Sequence, residues 1–234
     1  MYFDPIYMIL TVVTMGVSHF VSNMLQKRFS EFSQVPLPYS GAEIAQKMLR
    51  DYNVAEVNVT AIGGQLTDHY TPANKSVNLS EVVYGANNVA AAAVAAHECG
   101  HVVQHLAGYK YLNLRSALVP IQNVSAKVIN FIFLSMFFGS MFMNNVFSME
   151  SSVLIIIACY TIFTLFAFLT LPVEYDASKR ALAWIKSRNI VNQSEHEIAK
   201  DALNTAAQTY LIAALSSLAT LFYWVMVYLG GSRD

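Results

Sequence analysis

The sequence predicts a mostly α-helical polytopic membrane protein with about four transmembrane helices and a small cytoplasmic α+β element. Three observations predict it. Of 234 residues, 55% are apolar and 12% charged, against roughly 45–50% and about 25% in soluble domains, and the mean hydropathy is +0.42. The excess is concentrated: Val153–Leu171 and Tyr210–Leu229 run for 19 and 20 residues without a charge. At about 1.5 Å rise per residue, each can cross a hydrocarbon core of about 30 Å as a helix. The basic residues gather in two polar segments between such runs.

In chain order, residues 5–25 form the first expected span, which also carries His19, Ser22 and Asn23. Residues 26–116 are the only stretch long enough for a polar subdomain. There Ser40 and Glu43 have capping-box spacing and open an amphipathic helix through Ile44, Met48 and Leu49. Val54, Val57 and Val59 begin a β-like stretch ending at Gly63–Gly64, and Ser76–Ser80 alternates polar with apolar residues as a short edge strand. Asn87 or Asn88 caps a helix from Val89 to about Leu106, ended by Gly108. A second span, 117–143, needs Gln122, Asn123 and Lys127 to face protein or the interface. The third span is 153–171. Pro172 then starts a new helical direction, and residues 172–208 are polar, with His196 in a loop. Residues 210–229 are the fourth span. Trp184, Tyr223 and Trp224 read as interfacial anchors. The whole chain, 1–234, is expected to be one membrane-integrated domain.

Orientation follows from Lys and Arg. Lys27, Arg28, Lys47, Arg50, Lys75, Lys110 and Arg115 lie in or beside 26–116, and Lys179, Arg180, Lys186, Arg188 and Lys200 lie in 172–208. The positive-inside rule puts both segments in the cytoplasm and both termini outside. The first span lacks the basic flank and cleavage pattern of a secretory leader. A formal charge of −1 gives no long-range field for a polyanion, so nucleic acid is not an expected partner. The lipid bilayer is one. Cys99 and Cys159 are too few for a disulfide framework and are expected as thiols.

Within the helix from Val89, His97-Glu98-x-x-His101 places two imidazoles about 40° apart on one face, so both can reach one Zn²⁺. Glu98, beside the first imidazole, is placed to take a proton from water activated at the metal. The alanine-rich surroundings make this helix a buried one, where His and Glu side chains need partners. Gly100 removes a side chain where another backbone can approach. A catalytic zinc site has three protein ligands and one open position. His105 is a poor third ligand, since His97 and His105 lie about 12 Å apart along a straight helix. Glu174, where the third apolar run ends, is the better candidate: a carboxylate so near hydrocarbon is costly unless paired or metal-bound. Asp176 could ligate instead, or hydrogen-bond a ligand imidazole and fix its tautomer.

These residues carry a resemblance. Asp68-His69-Tyr70, Asn78-Leu79-Ser80, Ala95 to Gln104 around the paired histidines, and Leu171-Pro172-Val173-Glu174-Tyr175-Asp176-Ala177-Ser178, with the arrangement of spans, resemble the YugP-type family of "putative neutral zinc metallopeptidases" over nearly the whole chain. More distantly the chain is similar to HtpX-type membrane metalloproteases, in which a Glu on a later helix is the third ligand; the resemblance thus implies Glu174 here. Those enzymes carry an Asp four residues after that Glu, where this chain has Ser178.

The expected function is a membrane-integral zinc endopeptidase with a gluzincin-like cytoplasmic catalytic element. One catalytic Zn²⁺ would be held by His97, His101 and Glu174, with Glu98 as general base and a protein or peptide as substrate. Ser76–Ser80 is a candidate for taking an extended peptide by strand addition. His69, Tyr70 and Tyr175 are candidate oxyanion donors. The alternative is a membrane scaffold or substrate-binding protein with a structural zinc, which would have no need of Glu98. An intramembrane site is disfavoured, because no Asp lies within the apolar runs.

Overall fold

The computed structural model describes residues 4–142 and 148–231, with backbone alone for 137–142 and 231. The end of the expected span 117–143, residues 144–147 and the tail with Arg233 lie outside the described residues. In chain order the elements are α1 (Pro5–Phe32), α2 (Gly41–Asp51), β1 (Asn58–Ile62), β2 (His69–Thr71), β3 (Ser76–Ser80), α3 (Glu81–Tyr84), α4 (Val89–Leu106), α5 (Lys110–Phe142), α6 (Met149–Ser187) and α7 (Gln193–Gly231). Most of the described residues are helical. By length and composition, α1, the Lys110–Met136 part of α5, α6 and the Gln193–Gly230 part of α7 could each cross a membrane.

Local chemistry explains most boundaries. The Ser40 hydroxyl accepts from the Glu43 amide while the Glu43 carboxylate accepts from the Ser40 amide, closing the capping box of α2. Asn88 Oδ1 accepts from the Ala91 amide at 2.8 Å and starts α4. That helix ends at Leu106, and Gly108 follows with φ +61°. Asn192 and Glu195 cap α7 reciprocally, so His196 lies in the first turn of a helix rather than in a loop. Pro172 lies inside α6, which is helical on both sides of it.

The chain forms two compact units. The first comprises residues up to 20, 114–170 and from 210 onward. Ile129, Ile132, Val153, Ile156, Cys159, Tyr223 and Trp224 make its interior, with Tyr7 and Leu10 against them. The Tyr223 hydroxyl donates to Asp4 Oδ2 at 2.8 Å.

The second unit comprises residues 21–113 and 171–209. Its core takes Ile44 and Met48 from α2, Val77 and Leu79 from β3, the alanines of α4, and Ala181, Trp184 and Ile185 from α6. Trp184 is therefore no interfacial anchor. It is buried, and its Nε1 donates to Asp51 Oδ2 at the end of α2 at 2.9 Å.

The sheet of this unit has the order β1-β3-β2. Strands β1 and β3 are parallel, with Asn58 opposite Ser76, and β2 is antiparallel to β3, with Tyr70 opposite Val77. Ser76–Ser80 is thus the central strand, not an edge. Its alternation reports one buried face, carrying Val77 and Leu79, and a central strand shares that pattern with an edge strand.

Candidate metal centre

The site is built where α4 meets α6 in the second unit. The six alanines Ala90–Ala93, Ala95 and Ala96 are all buried and keep α4 slim against its neighbours. At Gly100 the backbones of the two helices are in close contact: a Cβ placed there would stand 2.6 Å from the Ala177 carbonyl oxygen. Glu174 and Ser178, on the turn of α6 around that contact, therefore face the histidine side of α4. Glu174 and Ser178 are four residues apart, and so are His97 and His101, so each helix presents one pair on one face.

The His97 and His101 rings stand edge to face with centroids 4.8 Å apart. His97 Nε2 is 3.2 Å and His101 Nε2 3.6 Å from Glu174 Oε2. Ligand atoms of the three residues all lie within 4.8 Å of one another, and they form the one group among the described residues able to hold a metal ion. Glu174 is 3% exposed and His101 9%, so these polar groups are withdrawn from water and need partners. A tetrahedral zinc with bonds of about 2.0–2.1 Å has ligand atoms about 3.4 Å apart. Two imidazole nitrogens and a carboxylate oxygen at these separations fit a divalent zinc.

The other ring nitrogens are engaged as well. His97 Nδ1 is 3.0 Å from Ser178 Oγ. His101 Nδ1 is 3.0 Å from Oε1 of Gln104, a fully buried side chain. Gln104 Nε2 donates to the Val173 carbonyl and to Asp176 Oδ2, both at 2.8 Å, and Arg180 Nε donates to the same Asp176 oxygen at 2.6 Å. Asp176 is not in the group able to hold a metal, and it meets His101 through Gln104. Sequence reasoning missed Gln104. Its signal was present: an amide three residues after His101 on a helix, following Val102 and Val103.

Glu98 is buried beside the imidazoles. Burial raises its carboxyl above the usual range, the His97 and His101 charges oppose this, and Glu174 and Asp68 add to the rise. Burial pulls the His101 imidazole down, but the hydrogen bond and charge of Glu174 outweigh it, so the net shift is upward. The two cysteines are free thiols. Cys99 is buried, its thiol pushed far up by desolvation and turned to the Ala45 carbonyl, which makes it packing rather than nucleophile.

Of the remaining candidates, His105 Nδ1 is 2.9 Å from the Tyr70 hydroxyl, which couples α4 to β2. Asp68 accepts from the Ser80 amide and hydroxyl, tying the start of β2 to the end of β3. His69 Nδ1 is 2.7 Å from the Thr67 carbonyl, and Tyr175 is exposed.

Residues 7–229 match the family described as "Putative neutral zinc metallopeptidase". The chain is also 34% identical over 231 residues, covering 98% of it and 99% of the relative, to a Bacillus subtilis (strain 168) protein named "Putative membrane protease YugP". No solved structure matches it.

Proposed function

The chain belongs to the "putative neutral zinc metallopeptidase" family, and from this premise we propose that it is a membrane-integral zinc endopeptidase cutting peptide bonds at the cytoplasmic face. The observation that carries the reading is the meeting of two imidazoles from α4 with the Glu174 carboxylate from α6, beside a buried Glu98. His97, His101 and Glu174 would hold one zinc, which when bound supplies Lewis acidity toward water and the substrate carbonyl. Glu98 takes the proton of the attacking water and returns it to the leaving amine nitrogen. A purely structural zinc would leave this buried carboxylate without a task.

Both units are read as parts of one domain spanning 1–234, since each is assembled from discontinuous segments of the chain. The cytoplasmic placement rests on the Lys and Arg distribution, and Glu174, three residues beyond the apolar run ending at Leu171, lies next to the membrane face.

Substrate docking by strand addition moves from β3 to β2. The backbone of β3 is paired on both sides, whereas β2 lies at the sheet margin, and its Tyr70 is coupled to α4 through His105. An extended peptide added to β2 would run next to the helix that carries His97 and His101.

The test uses the purified full-length protein. It should contain one zinc per chain and cleave casein, and Glu98→Gln should keep the zinc and lose cleavage by at least the roughly 10²–10⁴-fold that proton transfer contributes. Cleavage retained in Glu98→Gln would remove Glu98 as the base, and absence of zinc from the wild type would remove the metallopeptidase reading.

A further inference from the structure

We infer that Gln104, held by Asp176 and Arg180, is a positioning residue that dictates which nitrogen of His101 faces the metal. The inference rests on the metallopeptidase reading above. Both amide hydrogens of Gln104 are committed, one to the Val173 carbonyl and one to Asp176 Oδ2. Its Oε1 is thereby turned to His101 Nδ1, and an amide oxygen can only accept. His101 must then carry its proton on Nδ1, which leaves the lone pair on Nε2, the nitrogen 3.6 Å from Glu174.

The reversed amide is strongly disfavoured. It would set Oε1 against a backbone carbonyl and a carboxylate, and at 0% exposure no water is at hand to separate them. It would also present an NH₂ group to His101 Nδ1, demanding the tautomer that cannot bind metal through Nε2. Asp176 in turn is steadied by Arg180 Nε, one turn further along α6. The two histidines thus differ. The Ser178 hydroxyl at His97 Nδ1 can donate or accept and imposes no tautomer, whereas Gln104 imposes one on His101.

The experiment measures zinc affinity of the metal-stripped full-length protein in detergent, by competition with a chromophoric chelator, and the visible spectrum of the Co²⁺-loaded form. Gln104→Met keeps the volume and loses the hydrogen bonds. It should weaken zinc binding about 10–100-fold and alter the Co²⁺ bands. Asp176→Asn keeps an acceptor for Gln104 and should stay within about threefold of wild type, while Asp176→Leu should weaken binding about tenfold or more. Wild-type affinity in Gln104→Met would overturn the inference, as would equal affinities in the two Asp176 variants. If Gln104→Met does not fold, the Asp176 pair decides alone. Failure of the metallopeptidase reading looks different: wild type without zinc, or Glu98→Gln with full activity.

Discussion

Gly100 of α4 lies directly against the Ala177 carbonyl of α6, so close that a single added methyl would stand 2.6 Å from that oxygen. The obstacle is backbone rather than a side-chain end that could swing away. This contact lets Glu174 and Ser178, three residues before and one after Ala177, meet the imidazoles of His97 and His101.

Gly100→Ala should therefore cost about 1–3 kcal/mol, the usual penalty for overpacking a filled interior, and lower the zinc content as the two helices part. Thermal unfolding and metal analysis of the same sample read both effects. An unchanged midpoint with full zinc would show that the helices do not approach this closely.

Glu174→Ala removes one of the three proposed zinc ligands and should weaken zinc binding beyond the roughly 10–100-fold expected when a supporting partner of a ligand is lost. Casein cleavage should fall with it. Zinc affinity equal to wild type would mean that the third ligand is another residue.

Stripping the metal with a chelator should lower thermal stability and adding Zn²⁺ should restore it. At free zinc about 1,000 times the dissociation constant, the linkage is about 4 kcal/mol. Glu98→Gln should show the same gain on zinc addition, because the role proposed for Glu98 is proton transfer and not binding of the ion.

Ser40→Ala opens the capping box of α2 and should cost about 1 kcal/mol while leaving zinc content unchanged. Loss of metal in this variant would show that the cap itself, whose Ser40 side chain hydrogen-bonds to Glu43 alone, is coupled to the site.

Sidedness is checked by a reporter active only in the cytoplasm. Fused after Asp234 it should be silent, and fused within residues 26–116 active. A bright C-terminal fusion would reverse the orientation.

What could be read from the sequence was local. Four long apolar stretches, the cap at Ser40, a cap at Asn87 or Asn88, the stop at Gly108 and the pairing of His97 with His101 on one helical face all follow from spacings of three or four residues, or from the length of an uncharged run. Such features depend on backbone geometry and the solvation of neighbouring side chains, and those are written in consecutive residues.

Tertiary structure decided what depends on distant segments. Glu174 and Asp176 stand three and five residues beyond the apolar run, and closeness to hydrocarbon favoured Glu174 while still leaving Asp176 open as a ligand. The approach at Gly100 turns Glu174 to the imidazoles and leaves Asp176 to Gln104 and Arg180. The alternation of Ser76–Ser80 showed that one face is buried but not that both edges are paired. Trp184 resembled an interfacial anchor until Asp51, 133 positions earlier, proved to be its partner. In each case the deciding energy is a contact between residues far apart in the chain, and the spacing of neighbours along a helix or strand does not encode it.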